Sequence, residues 1–138
     1  MLDWAIDHYW KAIDIDKKYV DAHYDLGIAY FHRARIAEAI DEFLEVLRLD
    51  PDYHAAHYRL GICYQHANKM NAAIQHLKEA TVVTPEYVMA FYHLGVIYFE
   101  QNKLDEAESA FNKVLTEDPN DIASVVYLKQ IEKKRTSD

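Results

Sequence analysis

Apolar residues recur along this chain three and four positions apart, in paired runs, and the pairs return every 34 residues. Leu26 and Tyr30 share one helical face with Gly27 beside them, and Ala39 and Phe43 share the next. One period later the same places hold Leu60, Gly61, Tyr64, Ala73 and Leu77. A further period brings Leu94, Gly95, Tyr98, Ala107 and Phe111. The second run of each pair opens on an apolar residue, Ile36, Met70 and Leu104, with Leu2 at the same place before them. Asp50-Pro51, Thr84-Pro85 and Asp118-Pro119 close the three stretches. The pattern predicts helices near 20–33 and 36–49, near 54–67 and 70–83, and near 88–101 and 104–117. Proline lacks an amide donor and biases its predecessor away from helix, so each second helix ends there. Glycine inside a helix costs about 1 kcal/mol relative to alanine. Its return on schedule implies two helices packed too closely for a side chain.

The ends of the chain depart from this grid in different ways. Residues 1–15 read as a lone second helix, with Ala5, Tyr9 and Ala12 matching Ala39, Phe43 and Val46. Lys17 stands where the prolines fall later. The spacing therefore predicts a truncated repeat over 1–19, full repeats over 20–53, 54–87 and 88–121, and a capping helix with a tail over 122–138. In that last helix Ile122, Val125, Val126 and Ile131 are expected to face inward, and Lys129, Glu132, Lys133 and Lys134 to face water. Lys129 takes the glycine place, where no second helix follows. The turns between paired helices carry Ala34, Asn68 and Asn102. Asparagine tolerates the left-handed conformation better than alanine, so the first turn is expected to be strained or differently shaped. Tyr19, Tyr53 and Tyr87, just before each first helix, read as packing staples.

Leu26-Gly27-x-x-Tyr30, Ala39-x-x-x-Phe43 and Asp50-Pro51, with their two returns, resemble the tetratricopeptide repeat (TPR) family over nearly the whole chain. The resemblance implies an all-α fold, a right-handed superhelical solenoid of antiparallel helix pairs with about eight helices. It implies a non-catalytic scaffold for protein–protein interaction, whose first helices line a concave groove. The places that point into such a groove hold Tyr24, Ile28, Phe31 and His32, then Tyr58, Ile62, Gln65 and His66, then Tyr92, Val96 and Phe99. Arg59 stands on the flank. Family members that grip the C-terminal carboxylate of chaperones carry Lys, Arg and Asn at these places. Tyrosines and aliphatics stand here instead, so the expected partner is another protein, presenting an extended segment or an amphipathic helix with apolar anchors. A competing reading packs some of these rings between helices and leaves no site.

Composition and charge narrow the remaining choices. A chain of 138 residues that is 51% hydrophobic can bury a substantial core. Its net charge of −8 disfavours nucleic acid. The basic cluster Lys129, Lys133, Lys134 and Arg135 falls in the last turns of the last helix, where cations suit the macrodipole. No apolar run approaches the length that spans a membrane. The start lacks the basic segment and long apolar stretch of a signal peptide, so no membrane insertion and a cytoplasmic location are expected. Cys63 is expected to be a small packing residue. There is no phosphate loop, nucleophile elbow or metal-ligand spacing, so no enzyme, cofactor or metal is expected. Eight histidines nevertheless stand out; His32 and His66, in the groove, would make docking sensitive to pH. Trp4 and Trp10 occupy places that are often polar elsewhere on the grid, and Leu44 is the counterpart of Trp10. They support a second reading, a self-assembly module that forms a homodimer or extends a longer array through its N-terminal helix. Rings lying flat on the stack are the alternative.

Overall fold

A computed structural model of the chain describes residues 2–15, 20–83 and 87–137, with the side chains of residues 2, 10–15 and 83 outside the description. Eight α-helices and no strand occur among the described residues. They are α1 (Leu2–Ile15), α2 (Val20–His32), α3 (Ile36–Leu49), α4 (His54–His66), α5 (Met70–Val83), α6 (Val88–Glu100), α7 (Leu104–Glu117) and α8 (Ile122–Thr136). Each lies where the spacing predicts it, the first helices ending one residue early. The chain divides into two compact units, Met1–Glu79 and Ala80–Asp138. No described helix is long and apolar enough to cross a membrane.

In the first unit α1 packs on α2, α2 on α3 and α3 on α4. Ile6, Leu26, Tyr30, Phe43, Leu60 and Cys63 are among the residues buried together in its core. The scheduled glycines have the packing reason that the sequence implied. A Cβ on Gly27 would stand 2.7 Å from the Phe43 ring, and one on Gly61 would stand 2.6 Å from Leu77. None of the glycines has a positive φ, so space and not backbone freedom selects them. Asp50, the residue before Pro51, is the extended C-cap of α3. Tyr53 is the N-cap residue of α4, and its ring lies 5.2 Å from that of Tyr24, which fits the staple reading. Tyr19 lies outside the described residues.

The turns between paired helices are alike, which corrects one of the two expectations for Ala34. Its φ is 60°, against 59° for both Asn68 and Asn102. The backbone amide of Arg35 donates to the carbonyl of Tyr30, as Lys69 donates to Tyr64 and Lys103 to Tyr98. Ala34 therefore takes the common shape. The shape is fixed by these reversed bonds, and the alanine bears the steric cost of the left-handed region, about 1–2 kcal/mol.

In the second unit α6 packs on α7 and α7 on α8. A Cβ on Gly95 would meet the Phe111 ring at 2.8 Å. Asp118, before Pro119, is the C-cap of α7. Asp121 caps α8 by accepting from the amide of Ser124 at 3.1 Å. The buried line of α8 runs through Ser124 and Ile131, with Tyr127 and Leu128 half-buried between them. Ile122 and Val126 were expected to face inward; they are 77% and 45% exposed. They lie on the side of α8 opposite Ser124 and Ile131, at 100° per residue. Val125 is half-buried, and Ile131 is buried as expected.

Two substitutions in the first hairpin are expected to move stability in opposite directions. Gly27→Ala drives a methyl into the Phe43 ring and lowers unfolding free energy by roughly 1–2 kcal/mol, since overpacking outweighs the gain in helix propensity. Ala34→Gly relieves the left-handed strain and raises unfolding free energy by about 1 kcal/mol. Urea unfolding followed by far-ultraviolet circular dichroism measures both. An unchanged midpoint for Gly27→Ala would mean that the glycine contact is slack.

Candidate functional site

A row of side chains on α2 and on α4 is only partly covered by the helices packed around them. Tyr24, Ile28 and Phe31 of α2 are half-buried there, as are Tyr58, Arg59, Ile62 and Gln65 of α4. His32 and His66 are exposed at the C-terminal ends of the two helices. Two contacts join the helices across this face. The Arg59 guanidinium Nε donates to the Tyr24 hydroxyl at 3.2 Å. The rings of Phe31 and His66 meet edge to face, 5.4 Å between centres. Tyr24 also packs on Phe43, with ring centres 5.6 Å apart, and on Tyr53. The Tyr53 hydroxyl donates to the Asp21 carboxylate at 2.9 Å. Burial, then this carboxylate, pushes the Tyr53 phenol well above its usual range. Burial also raises the phenol of Tyr58. These rings keep their protons at neutral pH, so each hydroxyl retains a hydrogen to donate.

In the second unit Tyr92, Val96 and Phe99 of α6 are half-buried. All three were expected at the surface, but a residue that the sequence reading missed stands against two of them. Tyr127 of α8 lies with its ring centre 6.3 Å from Tyr92 and 5.2 Å from Phe99, and stacks on Phe111 at 4.7 Å. Tyr127 occupies the same place on the 34-residue grid as Arg59, a residue of different chemistry. The Lys134 ammonium sits 4.5 Å above the Phe99 ring. Burial raises the phenol of Tyr92. Beside Tyr92 a cavity of about 310 Å³ opens, lined by Val88, Met89, Val114, Asp118 and Asp121. Met89, Ile122 and Val126 leave apolar surface exposed in this unit.

The residues expected to drive self-association fall in the first unit. Trp4 is 68% exposed, its ring stacked on His8 at 5.2 Å. Leu44 is 41% exposed. The side chain of Trp10 lies outside the described residues. Cys63 is fully buried, and desolvation pushes its thiol up to about 11, so thiolate chemistry is suppressed at neutral pH. Among the described residues no three His, Cys, Asp or Glu side chains converge to hold a metal ion.

Three family models match this chain. One described as tetratricopeptide repeat covers residues 88–121, a second with that description covers 24–82, and one described as TPR repeat covers 2–32 and 64–102. No curated protein matches. Among solved structures, a crystal structure of MamA is similar over 98% of this chain and 79% of its own, with 26% identity and a TM-score of 0.92. The first TPR of Spaghetti (RPAP3), bound to the HSP90 peptide SRMEEVD, is 23% identical, with a TM-score of 0.81 over 88% of this chain and 96% of its own. The Yersinia enterocolitica type III secretion chaperone SycD, in complex with a peptide of the translocator YopD, is 19% identical, with a TM-score of 0.78 over 83% of this chain and 93% of its own. The last two likenesses are of fold.

Proposed function

The chain belongs to the tetratricopeptide repeat family, and on that premise we propose that it is a non-catalytic scaffold that docks a segment of another protein. The observation that carries this reading is the half-buried aromatic and aliphatic row on α2 and α4, braced by the bond from Arg59 to the Tyr24 hydroxyl. Rings held in place by neighbours lose little rotamer freedom when a ligand arrives, so binding free energy is not spent on ordering them. Half-buried tyrosines offer apolar area and a hydroxyl at once. Two structures of similar fold were solved with peptides bound, one from HSP90 and one from YopD. In this chain the row carries Tyr24, Tyr58, Ile28 and Ile62 where a receptor for a chaperone's carboxylate tail carries cationic and amide side chains. The ligand proposed is therefore a segment with aromatic or aliphatic anchors. Tyr92, Val96 and Phe99 offer a comparable face on α6, narrowed by Tyr127.

A displayed random-peptide library selected on the full chain tests this reading. Selected peptides are expected to be rich in aromatic and aliphatic residues. The Tyr24→Ala/Tyr58→Ala/Tyr92→Ala variant is expected to bind them at least about tenfold more weakly, a loss of about 1.4 kcal/mol. Equal affinity for the triple variant, read by fluorescence anisotropy, would remove the tyrosine face from the reading.

A second reading, self-association, is favoured by the exposure of Trp4 and, separately, of Leu44. Sedimentation equilibrium over a concentration series distinguishes it. Self-association by the parent chain, and a monomer for Trp4→Ala/Trp10→Ala, is the outcome expected of an assembly module. A parent chain that stays monomeric across the series ends this second reading.

A further inference from the structure

One pair of positions on the 34-residue grid, 19 residues apart across each helix hairpin, carries different chemistry each time. In the α2–α3 hairpin it is His23 and Glu42, with Nδ1 and Oε1 2.9 Å apart and both side chains 8% exposed. In α4–α5 it is His57 and His76, with their Nδ1 atoms 3.3 Å apart. In α6–α7 the places hold Phe91 and Ala110.

The middle pair has a defined proton arrangement. Nε2 of His57 lies 3.1 Å from the carbonyl oxygen of Pro51, which can only accept. That nitrogen therefore carries the hydrogen, and neutral His57 turns a bare Nδ1 toward its partner. Nδ1–H of His76 donates to it. The ring centres are 5.5 Å apart, so the two imidazoles meet edge to edge along one N–H···N line and are not face-stacked. Lone pairs that point at each other along that line do not converge on a shared metal ion. Tyr64 of α4 lies against His76, its ring centre 5.5 Å away and nearly parallel.

One added proton leaves an N–H···N bond intact, because one Nδ1 still lacks hydrogen. A second gives both Nδ1 atoms a hydrogen, removes the only acceptor, and sets two cations against each other in a half-buried site. The groups that face His76 are His57 and Tyr64 from α4 and Glu79 one turn along α5. Burial, then the neighbouring His57, holds its imidazole below the ordinary range, against the pull of Glu79. The folded pKa lies below the unfolded one, so the unfolded chain binds more protons in acid. The stabilisation is present above about pH 6.5 and is lost as pH falls through the folded value. The hairpin of His23 and Glu42 differs: an added proton there creates no pair of like charges. Phe91 and Ala110 have nothing to titrate.

We propose that His57 and His76 form a one-proton latch that keeps α4 and α5 together and is released by the second proton, while the other two hairpins stay shut. Release would loosen the helix that carries Tyr58, Arg59 and Ile62, but the latch stands whether or not that face docks a partner. Hydrogen exchange of the full chain at about pH 7.5 and about pH 5, corrected for intrinsic rates, tests it. Protection over Met70–Val83 is expected to fall about tenfold in acid while Leu104–Glu117 is unchanged. The His57→Phe/His76→Ala variant, which installs the residues of the α6–α7 hairpin, is expected to lose this difference. Undiminished protection in acid, or an equal fall in the variant, overturns the latch. Nitrogen-detected NMR of the unsubstituted chain tests it independently of the variant's folding. Two coupled, separated titration steps are expected, and two independent single-site titrations would overturn it.

Discussion

Each helix hairpin closes over a contact in which a glycine stands directly against a large side chain: Gly27 against Phe43, Gly61 against Leu77, Gly95 against Phe111. Everything else in a hairpin is placed relative to that contact. It fixes how near the two helices come and the rotation at which they meet. With the rotation fixed, Leu26 and Leu60 go fully inward, while Tyr24, Ile28, Tyr58 and Ile62 stay half-buried. The candidate docking face and the core are therefore two consequences of one steric condition. A methyl at any of the three glycines would disturb both, because interiors at crystal-like density have no slack to absorb it.

This is also why so much of the fold was legible. A constraint that recurs every 34 residues leaves the same mark in the sequence each time, and the helix bounds, the glycine contacts and the stops at Pro51 and Pro119 could be read from those marks, Pro85 lying outside the described residues. Ala34 shows the rule from the other side. Its backbone follows its asparagine counterparts because the turn is set by bonds between main-chain atoms, to which the side chain contributes only cost. What was not legible occurs once. The apolar residues of α8 are spread around the helix, and nothing in the sequence says which side is covered; Ser124 and Ile131 are buried, and Ile122 and Val126 are exposed. Tyr127 escaped notice because its counterparts are Arg59, His93 and Asp25, which share a place and no chemistry. Most of the candidate docking residues are half-buried, and their mutual contacts, such as Arg59 to Tyr24, depend on rotamers that spacing does not encode.

The histidines illustrate the same limit more sharply. Read along the chain they are scattered, and the pair expected to tune docking, His32 and His66, is exposed at helix ends. The pairs with defined geometry are formed across hairpins, 19 residues apart, where no helical periodicity connects them. Buried polar pairs in an otherwise apolar hairpin are costly unless satisfied, and here each donor finds an acceptor.

Repeat proteins hold together through contacts between neighbouring elements, so stability is distributed along the chain and not pooled in one centre. A chain built on one packing rule can therefore vary a single position pair from histidine–carboxylate, to histidine–histidine, to apolar without changing its backbone. The rule supplies the scaffold, and the variation gives each hairpin its own response to the solvent. In this molecule the pair of histidines sits beneath α4, whose outer face carries four of the half-buried candidate docking residues: Tyr58, Arg59, Ile62 and Gln65. The candidate docking residues and the histidine pair share one helix, and coupling between two sites needs a continuous set of packed groups of this kind. The economy lies in the repeat itself: since the glycine contact already fixes the hairpin, the position pair beside it is free to respond to the solvent.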